Sequence, residues 1–134
     1  MKQPGELTVL VVDDDGVWRA ALAGWLEREG FRVVGLPRGE RVVQAVKICG
    51  ADAVILDVHL PGLNGLEVLG AVRNMWPQLP VIVTTAFGGV DVAEMARRRG
   101  ATSYLEKPFR MADLITELRR VIAPAQEQPH GPGR

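Results

Sequence analysis

The sequence predicts an α/β domain in which a parallel sheet is covered by helices on both faces. Short apolar runs rich in β-branched residues alternate with longer stretches of helical period from residue 7 to about residue 123. The connections that lead from each helix to the next strand are short, which favours parallel strands joined by right-handed crossovers. Alternation and short connections together predict a doubly wound sheet.

The predicted strands are five short runs, at residues 7–12, 32–36, 53–56, 81–84 and 103–105. All except the last are strongly apolar, as is typical of strands that helices cover on both faces. Five strands fit the flavodoxin-like order 2-1-3-4-5 better than the six-stranded dinucleotide-binding order. No G-x-G-x-x-G motif follows the first run, so dinucleotide binding has no support.

The helical stretches are recognised by their period and by their ends. In the first, at residues 17–29, four apolar side chains share one side: Trp18, Leu22, Trp25 and Leu26. The third is expected to begin after Asn64 in a capping-box-like sequence and to end before Pro77. The last, at residues 111–122, carries apolar residues at spacings of three and four. Three glycines follow helical stretches where a left-handed residue is favoured: Gly30, Gly50 and Gly100.

Composition limits the function classes. The 16 acidic and 16 basic residues balance, which removes any global electrostatic case for binding nucleic acid or membranes. The single cysteine excludes an internal disulfide framework and a cysteine-rich zinc site. No apolar run approaches the ~18–20 residues of a membrane span, and no signal-peptide pattern opens the sequence. We therefore expect a cytoplasmic domain at residues 7–123, with a short extension at residues 1–6 and a Pro/Gly-rich tail or linker start at residues 124–134.

Polar side chains that could carry chemistry follow several of the strands. Asp13 and Asp14 come directly after the first strand, and Asp57 follows the third. Other such residues end or follow the fourth and fifth strands: Thr84, Thr85, Lys107 and Pro108. The carboxyl ends of the strands meet at one edge of a doubly wound sheet, and the first and third strands are neighbours in the expected order. We therefore expect the three carboxylates to converge.

Converging carboxylates repel one another, and each is expected to have a raised pKa unless a cation lies between them. A few carboxylates together with water and phosphate oxygens describe a Mg²⁺ site. Lys107 and a threonine hydroxyl on the other side could bind phosphate oxygens. A carboxylate, a metal ion, a lysine and a hydroxyl around one point suggest phosphoryl transfer onto an aspartate.

Each of these residues also has a simpler interpretation. Asp13, Asp14 and Asp15 could cap the first helix, where anions are favoured. Asp57 alone could be a turn residue, Lys107 a solvated lysine and Thr85 the end of a strand. Their joint placement at one edge of the sheet favours the functional interpretation for all of them except Asp15.

Four stretches of the sequence resemble the receiver domain of two-component response regulators. They are VLVVDDD, VILDVHLPGLNGLEVL, PVIVTTAFG and GATSYLEKPF, and they follow one another in the family's order and spacing. The similarity runs from about residue 7 to residue 121, and TAFG and LEKPF look most like receivers of the nitrogen-regulator type. The resemblance implies a signalling domain that takes a phosphoryl group from a histidine kinase or phosphotransfer protein. Its only catalysis would be its own phosphorylation and dephosphorylation.

The resemblance also implies roles for individual residues. The phosphoacceptor would be Asp57. The ligands of Mg²⁺, which Mn²⁺ can replace, would be Asp13, Asp14, Asp57 and the backbone carbonyl of His59. The phosphoryl group would be bound by Thr85, Ala86 and Lys107, and the switch residues would be Thr85 and Tyr104. The Lys107–Pro108 bond is expected to be cis, as is typical of the family.

The resemblance further implies that phosphorylation changes the surface of the fourth helix, fifth strand and fifth helix. Through this surface the domain could form a homodimer or control an output domain or partner. Residues 97–120 carry more basic than acidic residues: Arg97, Arg98, Arg99, Lys107, Arg110, Arg119 and Arg120 against Glu106, Asp113 and Glu117. Direct binding of this chain to nucleic acid or to a membrane is not expected.

Two other functions are open at this point. The stretch VVDDDGV also resembles the first motif of haloacid-dehalogenase-like phosphatases, in which Asp13 would be the nucleophile and Asp15 the general acid. That function would require a second acidic cluster of the G-D-x-x-x-D kind, which the sequence lacks, and it would leave Asp57 and Lys107 unexplained. The other is a pseudo-receiver, an interaction module with the fold but without phosphorylation. Such proteins usually lack the acidic pair, the acceptor or the lysine, all of which are present.

Overall fold

The computed structural model of the protein describes residues 7–127, in which five strands alternate with five helices. The elements are β1 (Thr8–Val12), α1 (Gly16–Arg28), β2 (Arg32–Leu36), α2 (Val42–Cys49), β3 (Ala53–Asp57), α3 (Gly65–Met75), β4 (Val81–Thr85), α4 (Val90–Arg98), β5 (Ser103–Glu106) and α5 (Met111–Glu127). The strands form one parallel sheet of order β2-β1-β3-β4-β5. The predicted fold class and strand order are therefore confirmed.

The sheet buries apolar side chains on both faces, because successive residues of a strand point to opposite sides. β1, β3 and β4 are buried along their whole length. One face packs against α2, α3 and α4 through residues such as Leu10 and Val83, and the other packs against α1 and α5 through Val9 and Ile82. The edge strands β2 and β5 are partly exposed. Full coverage, which the sequence predicted for β2 as well, thus holds only for the three inner strands.

The helix ends lie close to where the sequence placed them. Asp15 Oδ1 accepts hydrogen bonds from the N–H groups of Val17 and Trp18, both at 3.1 Å, and caps α1. Asn64 Oδ1 accepts one from the N–H of Leu66 at 2.7 Å and caps α3. The three glycines predicted after helices have positive φ angles: 96° at Gly30, 63° at Gly50 and 104° at Gly100. These conformations explain why glycine occupies those positions.

Two details of the helices also differ from the sequence-based prediction. Trp25 is 44% exposed, whereas Leu22 and Leu26 are buried, because Trp25 lies at the margin of the apolar stripe of α1. Helix α5 continues to Glu127, past the end expected at residue 122. Four of the five residues at 123–127 are alanine, glutamine or glutamate, and these good helix formers outweigh Pro124.

The predicted extension at residues 1–6 and the last part of the predicted tail, residues 128–134, lie outside the described residues. The domain limits therefore remain predictions. None of the helices in the described part of the chain is both long enough and apolar enough to cross a membrane.

All five strands run in the same direction, so their carboxyl ends meet at one edge of the sheet. β3 lies between β1 and β4 at the centre. Asp57, the last residue of β3, is the Cα partner of Thr84 in β4, and Thr85 is the partner of Glu106 in β5. The loops that follow β1, β3, β4 and β5 therefore lie side by side.

Candidate functional site

Three carboxylates meet at the carboxyl edge of the sheet. Oxygen atoms of Asp13, Asp14 and Asp57 all lie within 4.8 Å of one another. Asp13 and Asp57 are only 2% and 4% exposed, whereas Asp14 is exposed. They come together because β1 and β3 are adjacent and both end here. Carboxylate oxygens on the border between protein and solvent fit Mg²⁺, which prefers oxygen ligands and keeps several of its waters.

Lys107 supplies the counter-charge of this acidic cluster. Its Nζ donates hydrogen bonds to Asp13 Oδ2 at 2.7 Å and to Asp57 Oδ2 at 3.3 Å. Lys107 directly follows β5, and its backbone N–H donates to the carbonyl of Thr85 at 2.7 Å. The Lys107–Pro108 peptide bond is cis. The end of β5 thus brings one ammonium group to the carboxylates at the ends of β1 and β3.

Burial and these contacts set the charge state of the pocket. Burial raises the pKa of Asp57 above its ordinary value, although the N–H of His59, 3.0 Å from Asp57 Oδ1, and the Lys107 ammonium both oppose the rise. Burial by itself would lower the pKa of Lys107, but its hydrogen bond to Asp13 and the charges of Asp57 and Asp13 raise it overall. Lys107 therefore stays protonated, while the ionised form of Asp57 would gain stability from a further cation.

Thr85 and Tyr104 lie on the same face of neighbouring strands. Val83 packs into the cluster that contains α2, α3 and α4, and Thr85, two residues further along β4, continues that face. Tyr104 packs against the same cluster and is the Cα partner of Val83. Thr85 is fully buried, and its Oγ1 accepts a hydrogen bond from the N–H of Phe87 at 3.1 Å. Thr84, between Val83 and Thr85 in β4, belongs to the opposite face.

Tyr104 is half-buried, and a glycine provides the space for its hydroxyl. The hydroxyl donates a hydrogen bond to Glu106 Oε1 at 3.3 Å. A Cβ atom on Gly88 would lie 2.2 Å from the Tyr104 hydroxyl and 2.6 Å from Glu106 Oε1. Any larger residue at position 88 would therefore force this tyrosine to move.

The remaining candidate residues lie around the pocket. His59 is exposed, and its ring meets that of Phe87 edge-on at 5.6 Å. Its N–H contacts Asp57, and the role of its carbonyl as a metal ligand remains a prediction. Ala86 is exposed in the loop between β4 and α4. Asp15 uses its carboxylate to cap α1, which leaves the general-acid role expected of it in a phosphatase without support.

The surface of α4, β5 and α5 is less basic than the sequence suggests. Lys107 points into the acidic pocket and not outward. Most of the arginines pair with nearby carboxylates: Arg97 and Arg98 with Glu94, Arg110 with Asp113, Arg119 with Glu29, and Arg120 with Glu117. Five arginines thus share four carboxylates, which leaves less unpaired positive charge on this surface than the sequence suggests.

Two residues of the site carried no functional signal in the sequence. The ring centre of Trp18 lies 5.3 Å from Lys107 Nζ, yet the sequence placed Trp18 only in the apolar stripe of α1. Gly88 borders Tyr104, yet a glycine in a loop is read as a turn residue. Both contacts join different elements of the fold, and residue spacing alone does not show them.

Asp14→Asn is expected to weaken Mg²⁺ binding while it leaves the stability of the metal-free protein almost unchanged. Asp14 is exposed, so its carboxylate offers a ligand but adds little folding free energy. Mg²⁺ should raise the Tm of the wild-type protein, because the ion binds the folded pocket better than the unfolded chain. Thermal denaturation at increasing Mg²⁺ should show a much smaller rise for Asp14→Asn.

Asp15→Asn is the matched control, since it removes the same charge one residue away and asparagine still caps α1. We expect this control to keep the full response to Mg²⁺. Equal responses of the two variants would contradict a metal site made of Asp13, Asp14 and Asp57.

Residues 9–119 match the family model of the response regulator receiver domain. The chain is 39% identical to the response regulator protein FleR of Pseudomonas aeruginosa over 107 residues, which is 80% of this chain and 23% of FleR. It is 35% identical to the DNA-binding transcriptional regulator NtrC of Escherichia coli over 120 residues, 90% of this chain and 26% of NtrC. The crystal structure of NtrX from Brucella abortus superposes with a TM-score of 0.83 at 32% identity, over 89% of this chain and 27% of that chain. The chain thus spans about a quarter of the length of each of these proteins.

Proposed function

The chain belongs to the response regulator receiver domain family, and from this premise we propose that Asp57 is its phosphoacceptor in a reaction that Mg²⁺ supports. It is a signalling domain of the nitrogen-regulator type, and such domains interact with histidine kinases and output domains. The observation that carries the proposal is the convergence of Asp13, Asp14 and Lys107 on Asp57 at the edge of the sheet.

Asp57 acts as the nucleophile. An oxygen of its carboxylate forms a bond to the phosphorus of a phosphohistidine or acyl phosphate donor, and the bond from phosphorus to the donor's leaving atom breaks. The donor keeps the electron pair of that bond. The N–H of His59 orients the carboxylate through Oδ1, and the Lys107 ammonium at Oδ2 is placed to bind an oxygen of the incoming phosphoryl group.

Asp13, Asp14 and Asp57 are the side chains that would hold Mg²⁺, together with the carbonyl of His59. A metal ion bound there would neutralise negative charge on the phosphoryl group and the carboxylates. Without it, one ammonium faces three carboxylates in this pocket, and burial raises the pKa of Asp57. The residues therefore fit a divalent cation better than they fit a site that works without one.

The experiment for this proposal is incubation with acetyl phosphate, followed by intact-mass spectrometry. With Mg²⁺, the protein should gain a single phosphoryl group that hydroxylamine releases, as expected of an acyl phosphate. Excess EDTA should prevent the gain. No labelling in Mg²⁺, or labelling that is equally fast in EDTA, would contradict the proposal.

The signal is proposed to leave the pocket through Thr85 and Tyr104. A phosphoryl oxygen on Asp57 attracts the Thr85 hydroxyl, which lies on the same face as Tyr104, and Tyr104 turns inward from the surface of α4 and β5. The outward and inward positions of Tyr104 are two states in equilibrium. The phosphoryl group can shift this equilibrium only by the difference between its affinities for the two states. Dimerisation or contact with an output domain through α4, β5 and α5 would read out the change.

Gly88→Ala is expected to bias this switch without phosphorylation, because a Cβ atom would displace the Tyr104 hydroxyl from its outward position. Amide chemical shifts of α4 and β5 in the variant should move toward those that beryllofluoride, an acyl phosphate mimic, induces in the wild-type protein. Gly70→Ala in α3 is the control, since a Cβ there has no atom within 4 Å and should leave the spectrum of α4 unchanged.

Thr85→Ala completes the test of the switch. This variant should still bind Mg²⁺ and beryllofluoride. The amide chemical shift changes that beryllofluoride causes should, however, not extend to Tyr104. Full propagation to Tyr104 in Thr85→Ala, or Gly88→Ala shifts that move away from the beryllofluoride state, would rule out this route for the signal.

A further inference from the structure

The ammonium group of Lys107 has a third neighbour besides the two carboxylates. Its Nζ lies 5.3 Å from the centre of the Trp18 ring, inside the range of about 6 Å at which a cation and an aromatic face attract each other. With the carboxylates and this ring around it, the Lys107 side chain is only 16% exposed. The indole thus forms part of the surroundings of the charged group that faces Asp57.

The Trp18 ring is fixed from two directions. The backbone N–H of Trp18 donates to Asp15 Oδ1 at 3.1 Å in the cap of α1. The ring meets Phe109 edge-on, with centroids 5.4 Å apart and an interplanar angle of 77°. Phe109 lies in the loop that also carries Lys107. The start of α1 and this loop therefore hold the Trp18 ring next to the Lys107 ammonium.

Packing alone does not account for an indole at this position. The Nε1 atom of Trp18 is buried and has no hydrogen-bond partner among the described residues. A buried donor without a partner is destabilising, and phenylalanine would fill similar space without one. Indole, however, is the strongest partner for a cation among the aromatic side chains. The contact with Lys107 supplies a reason for tryptophan that the apolar stripe of α1 does not.

We propose that Trp18 is a positioning residue that holds the Lys107 ammonium beside Asp57; this inference rests on the proposed function and adds a residue to it. Two of the three N–H groups of the ammonium donate to Asp13 and Asp57, so an arriving phosphoryl oxygen needs the third or one that turns away from a carboxylate. Attraction to a ring face uses no directed N–H. Lys107 can therefore redirect a hydrogen bond to the phosphoryl oxygen while its flexible stem stays in the pocket.

The test compares Trp18→Leu, which removes the aromatic face, with Trp18→Phe, which keeps one. Trp25→Leu is the matched control, since Trp25 lies in the same helix and faces Arg28 at 5.7 Å, away from the pocket. In acetyl phosphate and saturating Mg²⁺, we expect Trp18→Leu to slow labelling of Asp57 about three- to tenfold and Trp18→Phe to keep most of the rate. Trp25→Leu should label at the wild-type rate.

Repeating Trp18→Leu in a Lys107→Ala background separates positioning from packing. If Trp18 acts through Lys107, its replacement causes no further slowing in that background. Equal slowing in both backgrounds would overturn the inference, and so would a wild-type rate in Trp18→Leu.

A second double-mutant cycle uses denaturant unfolding and does not depend on phosphorylation. Its four proteins are the wild type, Trp18→Leu, Lys107→Ala and the variant that carries both substitutions. The effects of the two substitutions should be non-additive, because each removes the same contact. Should Trp18→Leu fail to fold, Trp18→Phe replaces it in this cycle with a smaller coupling of the same sign. Additive effects of the two substitutions on the free energy of unfolding would overturn the inference. A wild-type protein that takes no label would contradict the proposed function, and the unfolding cycle would still test the contact between Trp18 and Lys107.

Discussion

Asp57→Asn is expected to abolish labelling by acetyl phosphate while the fold stays intact. The amide has nearly the same shape as the carboxylate, but it is not a nucleophile that can form an acyl phosphate. The variant should also have a higher Tm than the wild-type protein in the absence of Mg²⁺. The reason is that burial, which raises the pKa of Asp57, destabilises the charged carboxylate in the folded state. Intact-mass spectrometry and thermal denaturation measure the two effects.

The matched control for this experiment is again Asp15→Asn, which should label like the wild-type protein because residue 15 only caps α1. Undiminished labelling of Asp57→Asn would place the phosphoryl group elsewhere. Labelling at Asp13 in that variant would favour the phosphatase-like chemistry that the sequence left open.

Lys107→Ala is expected to have the second-largest effect, because it removes the ammonium from two buried carboxylates. The side chains of Asp13 and Asp57 are 2% and 6% exposed, and that of Lys107 is 16% exposed. Removing one partner of a buried ion pair destabilises a protein by about 3–5 kcal/mol. Because Asp57 can take up a proton and so relieve the loss, we expect about 2–3 kcal/mol in the metal-free protein, measured by denaturant unfolding. Labelling should slow by at least about tenfold.

Mg²⁺ should restore part of the stability that Lys107→Ala loses, because a divalent cation at the same carboxylates replaces the missing charge. Arg110→Ala is the control, since the Arg110 side chain is 86% exposed and its pair with Asp113 lies on the surface. That variant should stay within about 0.5 kcal/mol of the wild-type protein. A metal-free Lys107→Ala protein as stable as the wild type would show that the pocket does not depend on this ion pair.

The sequence carries enough information for the fold and for the charged part of the site. Strand order follows from alternation, short connections and strand number, and the sheet then brings Asp13, Asp57 and Lys107 to one edge. No knowledge of side-chain conformations is needed for this step. A residue that directly follows a buried parallel strand lies at the carboxyl edge in any doubly wound fold.

The contacts that the sequence did not predict depend on side-chain conformations and on loop paths. Trp18 and Trp25 both fit the apolar stripe of α1, yet one faces Lys107 and the other is 44% exposed. Arg119 pairs with Glu29 across 90 residues, which no spacing within one helix indicates. By contrast, the pair of Arg120 and Glu117, both in α5, has the i, i+3 spacing at which helical side chains meet. Local pairs of this kind could have been foreseen.

The most direct test of the phosphoacceptor is to locate the phosphoryl group in the wild-type chain. After incubation with acetyl phosphate and Mg²⁺, borohydride reduces an acyl phosphate on aspartate to homoserine, which peptide mass spectrometry locates by its mass. We expect homoserine at position 57 and at no other aspartate, with none formed in EDTA. Homoserine at position 13, or an unmodified position 57 in protein that carries a full phosphoryl label, would contradict the assignment of Asp57.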